Sequence, residues 1–238
     1  MNEYSKDWFD TFLATVDPAQ TQREVAFLQR QLPIDHFARV LDVCCGLGRH
    51  SGALAANGYR VTGVERDPAL VSAASRIHPA VKFVCMDASE ISHLAEPFDA
   101  VICMWQSFGF GDRTENDHLL EKISRSLRAG GRFVLDIYNR NFFEPRQGVL
   151  RSHRNSQAIT ETKSIDGDRI RIEIIYDDND RTADRFDWEI FTVEQISARA
   201  AAHRLVRLTA CSGFDERQGV SDALPRMQLV FEMSASAL

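Results

Sequence analysis

The sequence lacks any long apolar segment, since no stretch approaches the ~18 apolar residues of a membrane span. Its opening residues, MNEYSKDWFD, carry mixed charges and have no apolar core like that of a secretion signal. Both observations predict a cytoplasmic protein with no membrane partner. The chain has 238 residues, of which 44% are hydrophobic and 26% charged, so it can bury a core without disulfides or metals.

Cysteine is scarce, with five residues, and the chain contains neither a Cys-x-x-Cys nor a His-x-x-x-His pattern. Zinc-binding pairs are usually separated by two to four residues, whereas Cys44 and Cys45 are adjacent and would point to opposite faces of a strand. Cys44, Cys85 and Cys103 lie in or beside apolar runs, where cysteine packs as a small buried hydrophobic residue. We therefore expect no disulfide framework and no metal site.

Positive charge is also in deficit. The chain has 28 lysines and arginines against 34 acidic residues, which gives a net charge of −6. A nucleic-acid partner normally requires a basic surface that neutralises phosphates. The charge balance therefore disfavours nucleic-acid binding.

Strands and helices alternate along the first half of the chain. Residues 1–38 look helical up to Pro33, and five continuous apolar runs then predict strands: RVLDVCC, YRVTGVE, VKFVCMD, FDAVICMW and GRFVLDIY. Three segments predict the helices that follow, namely RHSGALAANG, PALVSAASRI and ENDHLLEKISRSLRAGG, the last stopped by Gly130 and Gly131. Continuously apolar strands are typical of a parallel sheet covered on both faces, whose ligands bind beyond the carboxyl ends of the strands.

The pattern changes after Tyr138. RIRIEIIY and RFDWEIF alternate between apolar and polar residues, which predicts an antiparallel meander over residues 157–191. Thr192 and Gln195 have the spacing of a capping box and should open a helix through about His203. Two final strands, LVRLTACSGF and RMQLVFEM, end the chain, which we interpret as one domain with an antiparallel insertion.

The segment VLDVCCGLGRH places Gly46 and Gly48 at the first strand-to-helix turn, where glycine lets a ligand approach the backbone. A dinucleotide fingerprint would have a third glycine at position 51, which is Ser51, and the Gly-Lys-Ser/Thr of a Walker loop is absent. Phosphate binding is therefore poorly supported.

Acidic residues mark three of the predicted strands near their ends: Asp42, Glu65 and Asp87. Glu65 can accept hydrogen bonds from a ribose diol, and Asp87 can accept one from an exocyclic amine such as that of adenine. Three carboxylates would repel a pyrophosphate. They suit a ligand that combines ribose, adenine and positive charge, such as a sulfonium with its ammonium group.

The chain resembles the class I S-adenosylmethionine-dependent methyltransferases in five segments that occur in the family's order: VLDVCCGLGRH, VTGVERD, FVCMDAS, FDAVICMWQSFGF and LRAGGRFVLDIY. The resemblance is to the small-molecule branch, which carries an antiparallel insertion before its last helix. It implies an α/β fold with a Rossmann-like, doubly wound, seven-stranded sheet, mostly parallel with an antiparallel terminal hairpin, plus the antiparallel β insertion. Residues 1–238 would be a single domain made of an N-terminal helical lid (1–38), a cofactor-binding core (39–140), the insertion (about 150–191) and the last helix with the terminal hairpin (192–238).

The resemblance also implies S-adenosyl-L-methionine as cofactor and S-adenosyl-L-homocysteine as product. It implies that Asp42, Gly46 and Gly48 contact the methionine end of the cofactor, that Glu65 holds the ribose and that Asp87 binds the adenine edge. The family often has aspartate where this chain has Glu65, and the longer glutamate side chain can still reach the ribose. The full expected cofactor set is Asp42, Gly46, Gly48, Arg49, Glu65, Arg66, Met86, Asp87, Ala88, Met104 and Trp105.

Aromatic residues after the fourth and fifth strands are expected to form the acceptor wall, with part of the N-terminal segment as a lid. An aromatic wall favours an apolar or aromatic small molecule and can stabilise a migrating cationic methyl group. Arg226 on the last strand is a candidate ligand for an anionic group. The expected pocket comprises Tyr4, Trp8, Trp105, Phe108, Phe110, Tyr138, Phe142, Phe143 and Arg226.

No catalytic base is assigned. His153 and Tyr138 are weak candidates, His118 is more typical of a surface residue, and His203 has the structural position of a cation at a helix end. The favoured reaction is methyl transfer to nitrogen or oxygen of a small molecule by in-line displacement. Three alternatives stay open: an RNA or protein methyltransferase, a cofactor-binding module without turnover, and a nicotinamide-dependent oxidoreductase. The insertion and the lid are also candidates for a homodimer face.

Overall fold

The computed structural model describes residues 5–8, 11–12, 17–154, 157–176 and 183–235. Eleven strands occur in these ranges: β1 Arg39–Val43, β2 Arg60–Glu65, β3 Lys82–Cys85, β4 Phe98–Cys103, β5 Leu127–Tyr138, β6 Gly148–Arg154, β7 Gln157–Asp166, β8 Arg169–Tyr176, β9 Ala183–Glu189, β10 Leu205–Cys211 and β11 Arg226–Met233. The helices are α1 Lys6–Trp8, α2 Pro18–Gln31, α3 Arg49–Ala56, α4 Pro68–Ile77, a 3₁₀ helix Ala88–His93, α5 Arg113–Ser126, α6 Arg140–Phe143 and α7 Val193–Ala202. None of the helices in the described ranges has the length and hydrophobicity needed to span a bilayer.

A seven-stranded sheet with the order β10–β11–β5–β4–β1–β2–β3 forms the centre of the fold. The five strands β1 to β5 pair in parallel, and β11 pairs antiparallel with both β5 and β10. Two groups of buried apolar side chains cover its faces, one with α5 and α7 and the other with α2 and α3. The predicted Rossmann-like sheet with an antiparallel terminal hairpin is confirmed. Its topology brings the carboxyl ends of β1, β2, β3 and β4 to one edge.

The insertion is a separate antiparallel sheet with the order β6–β7–β8–β9. Its second hairpin turns at Gly167, which has a φ of +58°, as the segment DGD suggests. The meander predicted for residues 157–191 covers three of the four strands but omits β6. Strand β6 lies at the edge of the sheet and exposes consecutive apolar residues, Val149 and Leu150, so its sequence has no alternation to reveal a strand.

Two helix boundaries differ from the prediction. Helix α5 ends at Ser126 rather than at Gly130, because Leu127 is buried and pairs with Phe98 of β4 as β5 begins. The N-terminal helix is shorter than residues 1–38: α2 begins after the capping residue Asp17 and ends at Gln31, just before Pro33. The capping box of α7 is confirmed, with Thr192 and Gln195 each bonding to the other's backbone N–H.

Candidate functional site

The glycine turn, residues 44–48, joins β1 to α3 at the carboxyl edge of the sheet. Cys44, Gly46 and Gly48 all have left-handed backbones, with φ of 58°, 54° and 74°. The Glu65 carboxylate at the end of β2 fixes the turn from the side, because its Oε2 accepts the Gly46 N–H at 3.1 Å. Its Oε1 accepts the backbone N–H groups of Arg66 and Asp67. One acid therefore shapes two neighbouring loops at this edge.

The two glycines of the turn have different surroundings. A Cβ at Gly46 would meet no atom within 4 Å, so its backbone faces open space. A Cβ at Gly48 would lie 2.5 Å from the Phe83 ring, so Gly48 is needed for packing against β3. This open cradle over Gly46 leaves room for a ligand close to the backbone, and the Glu65 carboxylate beside it can accept hydrogen bonds.

Asp42 is buried within β1, with 2% of its surface exposed. Its Oδ2 accepts the Ser51 hydroxyl hydrogen bond at 2.6 Å, so the residue in the place of a third glycine anchors this acid instead. Burial raises the pKa of Asp42, while the nearby His50, Ser51 and Arg49 act to lower it. In this structure Asp42 anchors Ser51 in the first turn of α3.

Asp87 lies at the exposed end of β3 and caps the 3₁₀ helix, since its Oδ1 accepts the Ser89 backbone N–H at 2.9 Å. These hydrogen bonds with Ser89 hold the pKa of Asp87 below its ordinary value, which favours the ionised acceptor. Met86 and Ala88 on either side pack against the hydrophobic core, and the Met86 N–H donates to the Glu65 carbonyl. Glu65 and Asp87 therefore lie at the ends of adjacent strands, while Arg66 is exposed between β2 and α4.

A buried charge cluster, formed by Glu24, Arg49, His50, Asp136 and Arg226, lies on the other side of the glycine turn. Glu24 of α2 bonds to Arg49 at 2.5 Å and to His50 at 2.8 Å. Asp136 of β5 bonds to Arg226 at 2.7 Å, and Arg226 also approaches Glu24 at 3.4 Å. The side chains of Glu24 and Asp136 have no exposed surface. The sequence analysis did not identify either residue.

The pKa values of the two acids in the buried charge cluster shift in opposite directions. Burial acts to raise the pKa of Glu24, but the hydrogen bond from His50 and the charges of His50 and Arg49 outweigh it and hold the pKa well below its ordinary value. Burial raises the pKa of Asp136, against the charge of Arg226 and the hydrogen bond from Gln228. The cluster therefore holds its negative charge most firmly at Glu24.

Trp105 follows β4 and contacts the same cluster. Its indole N–H donates to Glu24 at 2.8 Å, and the guanidinium groups of Arg49 and Arg226 lie 4.9 and 5.0 Å from its ring centre. Trp105 and Gln106 have φ of 58° and 59°, a rare conformation for two consecutive residues other than glycine. Such strained backbone is concentrated at functional sites. The Trp105 backbone N–H donates to the Asp136 carboxylate at 3.0 Å, and this hydrogen bond holds the strained backbone in place.

The expected aromatic wall divides between the core and the insertion. Phe108 is fully buried and packs on Phe191, and Met104 is 3% exposed in the core beneath the sheet edge. Phe110 is at the surface and packs against Trp188 of β9. The structure therefore brings neither Phe108 nor Met104 to an open surface.

The remaining wall residues gather on the inner face of the insertion sheet. Tyr138 makes edge contacts with Phe143 at 4.8 Å and Trp188 at 5.4 Å, and Phe142 packs on Phe143 at 5.0 Å. Trp8 of α1 makes an edge contact with Phe186, whereas Tyr4 lies outside the described residues.

A polar pair interrupts this apolar face. Glu161 and Lys163 form an ion pair two residues apart on β7, and both side chains are largely covered. Burial raises the pKa of Tyr138 to about 12, and the charge of Glu161 contributes to the same direction. The other candidate base, His153, is an exposed residue of β6.

The cysteines provide a simple test of the core. Burial raises the pKa of Cys44 to about 12 and raises the pKa values of Cys45, Cys103 and Cys211 as well, so these thiols stay protonated near pH 7. Cys85 is exposed. We expect a thiol reagent at pH 7.5 to label one cysteine of the native protein rapidly and five after denaturation. The substitution Cys85→Ser should remove the rapid reaction, and rapid labelling of Cys44 or Cys45 would contradict this account.

Residues 40–131 match a family model described as a methyltransferase domain. Over 120 residues the chain is 36% identical to human (Homo sapiens) glycine N-methyltransferase, an alignment that covers 42% of this chain and 41% of that protein. The chain thus spans less than half the length of this curated relative.

Solved structures share the whole fold. One is an S-adenosylmethionine-dependent methyltransferase from Clostridium acetobutylicum, with a TM-score of 0.77 at 16% identity, covering 95% of this chain and 96% of the other. Another is a sugar N-methyltransferase from Streptoalloteichus, with a TM-score of 0.73 at 22% identity, covering 99% of this chain and 94% of the other. At these identities the likeness establishes the fold.

The parallel sheet, the open glycine turn and the acids at its edge define a Rossmann-like domain of the nucleotide-binding type. Residues 40–131 match a methyltransferase domain, and the chain as a whole has the fold of S-adenosylmethionine-dependent methyltransferases of solved structure.

Proposed function

We propose that this protein transfers a methyl group from S-adenosylmethionine to a nitrogen or oxygen atom of a small molecule. The observation that carries the proposal is the open cradle over Gly46 beside the Glu65 carboxylate, within the segment that matches the methyltransferase domain. The human relative is a glycine N-methyltransferase, and one structural relative is a sugar N-methyltransferase. Both names support a small-molecule acceptor.

The residues of the site fit this cofactor. Gly46 would contact the methionine end, Glu65 would accept hydrogen bonds from the ribose, and Asp87 would accept one from the adenine amine. When bound, the cofactor supplies a methyl group activated by a sulfonium. The protein then has to align the acceptor within ~3–3.5 Å of that group and exclude water. The N-terminal segment is suited to exclude water, because Trp8 covers the inner face of the insertion sheet.

The inner face of the insertion sheet is the proposed acceptor wall. It combines the rings of Tyr138 and Trp188 with the ion pair of Glu161 and Lys163, so it suits a small molecule that has both apolar surface and a hydrogen-bonding group. Arg226 is already paired with Asp136 and Glu24. Its charge is thereby compensated, which makes it less suited to bind an anionic group than the sequence alone indicates.

Tyr138 is better suited to donate a hydrogen bond than to act as a base. With a pKa of about 12, its hydroxyl stays protonated near neutral pH. A neutral amine acceptor attacks the methyl group directly and loses its proton afterwards, so it would need no base at the position of Tyr138. His153 stays a prediction, as do the cytoplasmic location and the homodimer.

Calorimetric titration with S-adenosylhomocysteine, with NAD as the comparison ligand, tests the cofactor. We expect micromolar binding of S-adenosylhomocysteine alone, and about tenfold weaker binding by Asp87→Ala, because an acceptor for the adenine amine is lost. Asp17→Ala is the matched control. Asp17 also caps a helix through a single carboxylate contact, and it lies at the start of α2.

Absence of binding by the wild-type protein, or a preference for NAD, would contradict the proposed cofactor. Equal weakening by Asp17→Ala and Asp87→Ala would show that Asp87 acts only as a cap. Once binding is established, release of S-adenosylhomocysteine in the presence of a panel of small amines distinguishes turnover from a binding module.

A further inference from the structure

Glu24 is an unusual residue for an amphipathic helix, because its side chain is completely buried and receives several donors. Its carboxylate contacts five side chains from four parts of the chain: Gln20 at 2.9 Å, Arg49 at 2.5 Å, His50 at 2.8 Å, Trp105 at 2.8 Å and Arg226 at 3.4 Å. A buried carboxylate persists only where such partners replace water. Glu24 is thus a junction between separate segments.

The segments that meet at Glu24 border one side of the candidate site. Arg49 and His50 are the first two residues of α3, directly after Gly48, and Trp105 follows β4. In the sheet, β4 and β5 lie on one side of β1, whereas β2 and β3 lie on the other. Glu24 therefore acts on the side of the glycine turn opposite to Glu65 and Asp87.

We propose that Glu24 is a positioning residue that holds the glycine turn in shape for the amino-acid part of the cofactor, an inference that rests on the proposed function. It acts through Arg49 and His50, which fix the first turn of α3 and the backbone N–H groups that precede it. It acts through Trp105 on the strained backbone after β4. The nucleoside part of the cofactor depends on Glu65 and Asp87 and is largely independent of Glu24.

Two ligands separate these roles. S-Adenosylhomocysteine has the adenine, the ribose, the sulfur and the amino-acid group, whereas 5′-methylthioadenosine has no amino-acid group. With Glu24→Gln, we expect the dissociation constant of S-adenosylhomocysteine to rise about tenfold and that of 5′-methylthioadenosine to change less than about twofold, by calorimetric titration. A general loss of structure would weaken both ligands alike.

Glu216→Gln is the matched control. Glu216 pairs at 2.7 Å with Arg30, which lies on α2 like Glu24, and both side chains of this pair are partly exposed. This variant breaks an ion pair of α2 without touching the buried charge cluster. Its affinity for both ligands should equal that of the wild-type protein.

Equal weakening of both ligands by Glu24→Gln, or no weakening of either, overturns the inference. Should that variant fail to fold, His50→Leu removes one partner of Glu24 and puts an apolar side chain of comparable size in its place. It should weaken S-adenosylhomocysteine selectively by about fivefold, and unchanged affinity would equally overturn the inference. A wild-type protein that binds neither ligand would overturn the proposed function itself, a result distinct from a failure confined to the variants.

Discussion

Replacing Gly46 with leucine is expected to weaken the binding of S-adenosylhomocysteine by about 100-fold, or about 2.7 kcal/mol. The Gly46 backbone faces open space, so a leucine side chain would not collide with the protein. It would instead occupy the cradle in which we place the cofactor. Calorimetric titration of the variant measures this effect directly.

The backbone strain of this substitution requires a control, because Gly46 has a φ of +54°. Gly167, in the turn between β7 and β8, has a φ of +58° and also faces open space. Leucine at either position should therefore lower the free energy of unfolding by a similar amount, about 1–2 kcal/mol. Gly167→Leu should keep wild-type affinity, and an equal loss of affinity in both variants would refute the placement of the cofactor over Gly46.

The sequence predicts the central sheet because its signals are local. Continuous apolar runs such as those of β1 and β4 are typical of strands covered on both faces, and the glycine turn follows β1 directly. Glu65 and Asp87 could be assigned to neighbouring strand ends for the same reason. The topology of parallel strands brings their ends together, and no knowledge of side-chain contacts is required.

The buried charge cluster could not be predicted in this way. Glu24 lies in QREVAFLQ, where its spacing does not distinguish it from a glutamate on a solvated helix face. Its partners are 4 to 202 residues away along the chain, and only the folded structure brings them together. Asp136 did offer a signal, since it is a lone carboxylate within the apolar strand FVLDIY, where an unpaired charge would be costly.

Substitution Asp136→Ala is expected to lower the free energy of unfolding by about 3–5 kcal/mol, because it leaves charged and polar partners buried without their acceptor. Arg226, Gln228 and the Trp105 N–H all donate to this carboxylate, at 2.7, 2.8 and 3.0 Å. Urea-induced unfolding measures the loss. Asp168→Ala is the control, since Asp168 pairs with Arg140 at 2.9 Å but is half exposed, and its loss should cost less than about 1 kcal/mol.

A variant with both Asp136→Ala and Arg226→Ala separates two costs of losing Asp136, namely the unpaired charge of Arg226 and the lost packing. If Arg226 without its partner is the main cost of Asp136→Ala, then adding Arg226→Ala should destabilise the protein by less than the sum of the two single effects. Additive losses would mean that the two residues stabilise the fold independently and that their ion pair contributes little. Non-additivity above about 1 kcal/mol would show that Asp136 and Arg226 stabilise the fold as a pair, next to Trp105 and Glu24 at the edge of the site.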